Sequence, residues 1–595
     1  MPTLDQSSRV QPRPSPEDWG YKFIESLNGG IDLTERSEVI EDNRLLTAEN
    51  VRFEKGRILV DYGYKTFAQV VRGFPRLTYQ FYLKNGSSIL ILLTNDTFYR
   101  YDETALEWKY VSDGNATQVA VAGVATDTSI EVDDDAGFGD GDFIGIELDD
   151  GTQHQTTVNG APAANIITFD DALPGPSAIA SAVVKAADLN GSSDIQPSVT
   201  TWAAFDKMYI TNGIDVPKEF DGIELVDISN LPASGSFACR IVAIFNNYLI
   251  FLHTTEAGTL FPQRMRWSLP GNDAAFDESV NFLDLYDSED FIVAAEGLGS
   301  FYIIYKERSI YRLEFLGLLL QTWNITKTID SEGTFNQDCV INLGDEHILF
   351  GNANIYKYDG NFNLDPVGDE IFDKLFAQDG ELNPTYAART FGIYIEELDE
   401  AWWFYPNGSD EFPQNIIRLN ISTGAWSDRR FLEAFTGFGF FQAQGDITWA
   451  TAPGTWAAFT GPWVSKQVQA NAPTVHLLSK DTLQVYDYDY VTNEDDGEAI
   501  PFEVETKDFY IGDYELRFDR YDFRISGINV LVEASYDQGN NWEVLGTVSP
   551  GTVYAKQSLF RQHISRSVRF RFSGSEGFGL EWVGFKFKGE SLQNL

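Results

Sequence analysis

The sequence predicts a mostly β protein: a β-propeller of six or seven blades, carrying an inserted small β-module and a C-terminal β-sandwich. Three observations carry that prediction. First, short aromatic and β-branched runs bounded by turn residues recur along the chain, among them SSILILLTN, NNYLIFLHT, SFYIIYKE and DEAWWFYPNG; these are strand compositions, and their turns at Asn85-Gly86, Asp359-Gly360 and Asn407-Gly408 suit hairpins. Second, a turn followed by an aromatic strand ending on a polar residue repeats as TFYRYDE (97–103), VPKEFDG (216–222), QRMRWSL (263–269), SIYRLEF (309–315), NIYKYDG (354–360), NIIRLNI (415–421) and LQVYDYD (483–489). The markers Asp221, Trp267, Leu313 and Asp359 are spaced by 46, 46 and 46 residues, and the later steps to Asn420 and Asp487 are 61 and 67. Third, a four-stranded unit of that length cannot cover both its own faces, so a series of them is expected to stack around an axis.

The elements follow in order. Residues 1–28 read as an extended arm, rich in Pro and charge, with Trp19, Tyr21, Phe23 and Ile24 as apolar anchors that would order it on a neighbouring subunit. Residues 29–111 form a first propeller segment. Residues 112–187 are an inserted acidic β-module: between Tyr110 and Val184 there are 13 acidic residues and no Lys, Arg, Trp or Tyr. The insertion accounts for the 119-residue gap between Asp102 and Asp221. Residues 188–499 hold the main blades, with one short helical pattern, VGDEIFDKLFAQ, at 367–378. Residues 500–595 are a sandwich in which VRFRF and FKFKG place Arg569, Arg571, Lys586 and Lys588 on one strand face and aromatics on the other.

Charge and chemistry narrow the function. With 89 acidic against 43 basic residues the net charge is −46, which argues against a sequence-independent nucleic-acid binder. Cys239 and Cys339 are too few for a disulfide framework and read as free, buried thiols. No run of apolar residues is long enough to span a bilayer, and the start lacks the apolar core of a signal peptide. His154, His253, His347, His476 and His563 are scattered without metal-ligand spacing, and neither a phosphate loop nor a nucleophile elbow occurs. No cofactor, metal or catalytic residue is expected. Ser535-Tyr536-Asp537-Gln538-Gly539-Asn540-Asn541-Trp542 matches the S-x-D-x-G-x-x-W Asp-box of sialidase-like propellers, whose chemistry is that of a turn. Asp133, Asp134, Asp135, Asp140 and Asp142 read as a solvated acidic loop, with a Ca²⁺ site as the alternative.

Leu27-Asn28-Gly29-Gly30-Ile31-Asp32, Glu49-Asn50-Val51-Arg52-Phe53 and Gly56 to Tyr64 resemble the opening of short-tailed bacteriophage tail nozzle proteins of the tail tubular protein B type. Asp61-Tyr62-Gly63 stands where Arg-Pro-Gly is frequent in them. The inserted module, with Gly137, Phe138, Gly141 and Asp142 in a GF-x-x-GD turn, looks like modules found in such proteins. The resemblance implies a non-enzymatic virion tail subunit, made in the host cytoplasm and assembled as a homohexamer below the portal. Its partners would be adaptor or head-to-tail connector proteins, tail fibre or spike proteins, and double-stranded DNA passing without specific binding. An acidic lumen would limit adhesion of the duplex, and Trp19, Tyr21, Phe23, Arg569, Arg571, Lys586 and Lys588 would lie at the subunit interface. The alternative is a host-glycan binding or sialidase-like propeller of the virion surface, which would have a deep pocket with converging Arg and carboxylate groups.

Overall fold

The computed structural model describes residues 19–232, 236–277, 279–318, 321–442, 473–512 and 515–589. The chain is mostly β, as the strand signals predict, and among the described residues helix is confined to single turns. The pattern at 367–378 yields only a 3₁₀ turn, Asp369–Ile371, and one α turn, Phe372–Leu375. Ile371 and Leu375 bury their side chains, and the chain then reverses so that the Leu382 amide returns to the Leu375 carbonyl.

Seven antiparallel four-stranded units follow one another. Their first strands are Pro75–Tyr82, Ser198–Trp202, Phe237–Phe245, Ile292–Leu298, Val340–Asn342, Phe391–Ile395 and Phe435–Phe441. Every repeat marker falls on a third strand or at its end: Asp102, Asp221, Trp267, Leu313, Asp359, Asn420 and Asp487. Second strands such as His347–Phe350 and Glu400–Tyr405 are buried at every position, on both faces. A sheet so covered needs a neighbour on each side, and the apolar area removed from water is the main force that stacks the units.

The first strands contact each other in sequence: the second touches the third, the third the fourth, the fourth the fifth, and the fifth the sixth. The rings of Phe391 and Phe438 stack at 5.9 Å between the sixth and seventh units, and the Tyr79 hydroxyl bonds Thr201 between the first and second. The seventh unit returns to the first through glycine. A Cβ at Gly437 would lie 2.0 Å from the Arg76 carbonyl oxygen, and one at Gly439 1.9 Å from Thr78 Oγ1.

The outer strand of the seventh unit comes from the other end of the chain. Strands Phe435–Phe441, Thr474–Ser479 and Val485–Asp489 are completed by Gly63–Thr66, with Tyr488 opposite Tyr64. A buried ionic cluster secures the splice. Asp61 accepts from Arg418 Nη1 at 2.6 Å, Arg429 Nη1 at 3.0 Å, the Tyr488 hydroxyl at 3.0 Å and the Tyr62 amide at 2.8 Å, while Arg429 also pairs with Asp495.

The stretch 29–111, expected to open the propeller, therefore divides. Leu45–Glu49, Val51–Glu54 and Arg57–Val60 pair in sheets with the C-terminal strands, and only from Gly63 onward does the chain enter the units. The strands between Ser112 and Ala186 form one sheet, tied to the second unit by a bridge from Ser112 to Glu224, and Ser112 lies opposite Ala186, so this segment leaves and rejoins at one place. The C-terminal strands form two sheets around Phe518, Tyr521, Phe523, Phe570, Phe572 and Phe585. One of these sheets continues the sixth unit through Leu45–Glu49, which runs parallel to Trp426–Arg430.

Candidate functional site

A cavity of about 550 Å³ lies where the first strands converge. Its wall takes Thr78 and Tyr79 from the first unit, Pro197 to Val199 from the second, Glu296 from the fourth, Gln337 and Asp338 from the approach to the fifth, and Phe438 and Phe440 from the seventh.

Asp338 is held by local capping. It sits in the 3₁₀ turn Gln337–Cys339, where the Asn336 side chain accepts from the amides of Asp338 (2.8 Å) and Cys339 (3.2 Å). The Asn336 amide group in turn donates to the carbonyls of Ala388 and Thr390, at 2.7 and 2.6 Å. Gln337 exchanges two 2.9 Å bonds with the backbone of Ala295 and so joins the fourth unit to the fifth. Asp338 keeps part of its surface toward the cavity, with protein on its other sides. Burial, reinforced by the nearby charge of Glu296 and only partly offset by Arg76, pushes its carboxyl up to about 7. Glu296 is also raised by burial, against bonds from Asn342 (3.2 Å) and the Gly297 amide. The charge of Glu296 is thus one of the causes that keep the Asp338 carboxyl raised.

The arginines nearby are engaged elsewhere. Arg76, 4% exposed and lowered by burial to about 10, donates to the Ile195 carbonyl (3.1 Å) and Gln196 (2.8 Å). Arg389 pairs with Asp194 at 2.7 Å. The converging arginines expected of a sialidase-like pocket are not formed by these two. A second cavity, of about 340 Å³, is bordered by Glu289, Asp290, Glu307 and Asp330. Lys306 beside it is fully buried and already bonded to the Leu285 carbonyl and Ser288 Oγ, both at 2.8 Å.

The residues singled out in the sequence lie elsewhere. Residues 1–18 of the expected arm fall outside the described residues. Trp19–Ile24 is a strand antiparallel to Glu576–Gly589 of the same chain, with Trp19 opposite Lys588, Tyr21 opposite Lys586 and Phe23 opposite Gly584. Its anchors find their partners at home, Ile24 and Leu27 entering the sandwich core. Arg569 is 8% exposed and pairs with Asp508 and Glu505, so it faces acids of its own chain. Arg571 binds Glu533 at 2.6 Å and lies 4.2 Å over the Trp542 ring. Lys586 sits 4.3 Å over Trp19, and Lys588 shares that outer face.

The Asp-box is a turn in the sandwich. Ser535 Oγ accepts from the Gly539 amide and Asp537 Oδ1 from the Asn541 amide, both at 2.9 Å, with Gly539 at φ +87°. In the acidic module Asp142 pairs with Lys185 at 2.9 Å and Asp140 accepts from the Gly160 amide at 2.7 Å. No cluster of three or more potential metal ligands occurs among the described residues. Cys239 and Cys339 are free and buried. No described helix is long and apolar enough to cross a membrane.

No protein-family model matches the chain, and no curated protein matches it. Among solved structures it is similar to an exo-β-1,3-galactanase from Phanerochaete chrysosporium in complex with β-1,3-galactotriose, at 7% identity over 67% of this chain and 97% of that one, with a TM-score of 0.25. It is also similar to the extracellular domain of a putative one-component system from B. thetaiotaomicron, at 10% identity, 88% and 81% coverage and a TM-score of 0.24. A protein described as a glycoside hydrolase matches at 9% identity, 94% and 99% coverage and a TM-score of 0.20. Likenesses this remote assign no residue a role. Carbohydrate-acting enzymes are among these structures, at TM-scores too low to carry an argument about function. The non-enzymatic tail-nozzle reading is withdrawn, and the glycan alternative is taken up on the evidence of the cavity.

Proposed function

We propose that the seven units are blades of a β-propeller and that the axial cavity binds a glycan and hydrolyses a glycosidic bond in it. On this reading residues 112–186 form a module inserted between the first two blades, and residues 500–589 form a sandwich with 19–60. The observation that carries the functional reading is Asp338: a carboxylic acid on the cavity wall, held protonated up to about 7, with a second carboxyl coupled to it. Glycoside hydrolysis needs that asymmetry, one acid that still holds its proton and one carboxylate that does not. Asp338 donates its proton to the leaving oxygen as the C–O bond breaks. Glu296 takes a proton from the water whose oxygen bonds to the anomeric carbon. Tyr79, Phe438 and Phe440 offer apolar faces against which sugar rings pack.

The test is turnover and binding across a panel of neutral and acidic oligosaccharides from pH 4 to 8. Asp338→Asn, which keeps the shape and removes the proton donor, is expected to lower kcat by about 10²–10⁴-fold. It should also abolish the activity limb near the Asp338 titration. Absence of binding and turnover on the whole panel, or unchanged kcat in Asp338→Asn, refutes the proposal.

A further inference from the structure

One sheet of the sandwich presents an outer face unlike the rest of this acidic chain. It is built from Trp19–Ile24, Glu576–Gly589, Leu516–Ile528 and Gly551–Ser565. Residues directly opposite one another share a face, so its register aligns Trp19 with Lys588 and Arg517, and Tyr21 with Lys586 and Arg520. The next row sets Phe23 beside Gly584 and Asp522. Tyr21 lies flat over Gly584, where a Cβ would meet its hydroxyl oxygen at 2.3 Å, and it remains 44% exposed. Asp522 has no exposed side-chain surface and is engaged with Arg520 and Lys556. Glu581 is engaged with Arg57 and Arg524, and Asp519 accepts from Gln562. Among the described residues no carboxylate lies within ion-pair distance of Arg517, Lys586 or Lys588.

We infer that this face binds an acidic polysaccharide whose carboxylates are spaced among neutral sugars. These three cations, without a carboxylate partner among the described residues, supply the anion contacts, and the half-exposed Tyr21 and Trp19 supply ring surface between them. Spacing matters because of the rest of the molecule. At low salt the net charge of −46 repels a densely charged polymer at long range, whereas the cations act on a carboxylate seated beside them, within the Debye length of about 8 Å that holds at physiological salt. A nucleic acid, with a phosphate on every nucleotide, meets that repulsion along its whole length, whereas a sparsely charged glycan meets it only at intervals. This site is separate from the axial cavity and does not depend on hydrolysis there.

The test is affinity electrophoresis of the full chain in gels containing hyaluronate, whose carboxylates alternate with neutral sugars, with dextran and oligo(dT) as comparisons. Hyaluronate is expected to retard the protein, dextran not to, and oligo(dT) to bind more weakly. The Arg517→Ser/Lys588→Ser double variant should lose about tenfold in affinity, equivalent to about 1.4 kcal/mol, with an unchanged circular dichroism melt. Arg517→Lys should retain binding. Neither Arg517 nor Lys588 lines the cavity, so loss in the double variant separates this face from glycan binding there. No retardation by hyaluronate at low salt, an unaffected double variant, or tighter binding of oligo(dT) overturns the inference.

Discussion

Replacing Asp61 with Ala should open the splice between Gly63–Thr66 and the seventh unit. Asp61 is fully buried and receives two guanidiniums, a phenol and an amide. Its removal leaves Arg418 buried, with the Val51 carbonyl as its remaining hydrogen-bond acceptor, and leaves Arg429 with only Asp495 as its ion-pair partner. Breaking a buried pair from one side costs about 3–5 kcal/mol, because an uncompensated charge stays inside. The unfolding entropy is about 2.1 cal/mol/K per residue, or about 1 kcal/mol/K for a cooperative unit of roughly 450 residues. The midpoint should therefore fall by about 3–5 °C. Scanning calorimetry measures this, and hydrogen exchange should report the earliest loss of protection at Gly63–Thr66 and Val485–Asp489. The pH dependence has a definite sign. Burial alone would raise the Asp61 carboxyl, but Arg418, Arg429 and the Tyr62 amide outweigh it and hold it below the usual range. Its contribution is thus complete above the unfolded value of about 3.9 and lost as pH falls through the lower folded value. A midpoint unchanged by Asp61→Ala at pH 7, or a loss of equal size at every strand of the chain, would refute the reasoning.

Other substitutions test the remaining claims. Gly439→Ala should lower the midpoint at least as much as Asp61→Ala, since its Cβ would overlap Thr78; a calorimetric scan indistinguishable from the parent would show that the junction can relax. Arg569→Leu should cost about 3–5 kcal/mol in denaturant titration by leaving Asp508 and Glu505 unpaired, while Lys586→Ala should cost no more than about 1 kcal/mol. For Asp338 the linkage runs opposite to that of Asp61. Its raised carboxyl contributes stability that is full below about 4 and is lost as pH rises through about 7, so Asp338→Asn should be relatively more stable than the parent at pH 8, as read by thermal melting. Excising residues 113–185 with a short linker between Ser112 and Ala186 should leave the other units folded, with a modest penalty for lost contacts such as Gln155 to the Trp108 carbonyl; collapse of the circular dichroism signal would contradict that.

The repeat was legible because an aromatic run recurs on the third strand of each unit, a local pattern that survives without any knowledge of partners. The closing strand was not. Gly63–Thr66 is four residues long and takes its identity from a pairing with Val485–Asp489, which no local pattern encodes. Alternation in VRFRF correctly separates arginines from aromatics, but it says nothing of what each face meets; Arg569 and Arg571 meet Glu505, Asp508 and Glu533. The candidate acids were hidden among 89 carboxylates. A usable signal existed: Glu296 lies in the last half of the first strand Ile292–Leu298 and Asp338 in the turn Gln337–Cys339 that leads into the first strand Val340–Asn342, so aligning repeats on their first strands would have brought both to one end of the units. The residues of the phage-like opening pair locally, Val51–Glu54 with Arg57–Val60, and at long range, Leu45–Glu49 with Phe502–Thr506, and only the first pairing is readable as a hairpin in the sequence.

The late arrival of the seventh unit has a kinetic consequence during synthesis. Gly63–Thr66 leaves the ribosome more than four hundred residues before Val485–Asp489, the strand it must pair with. Through most of translation this segment waits with its backbone donors and acceptors solvated and open to other strands. Slow elongation, or a stall before residue 489, would favour tangles between nascent chains, so yield in the cell should depend on chaperones that occupy those edges until the last strand emerges.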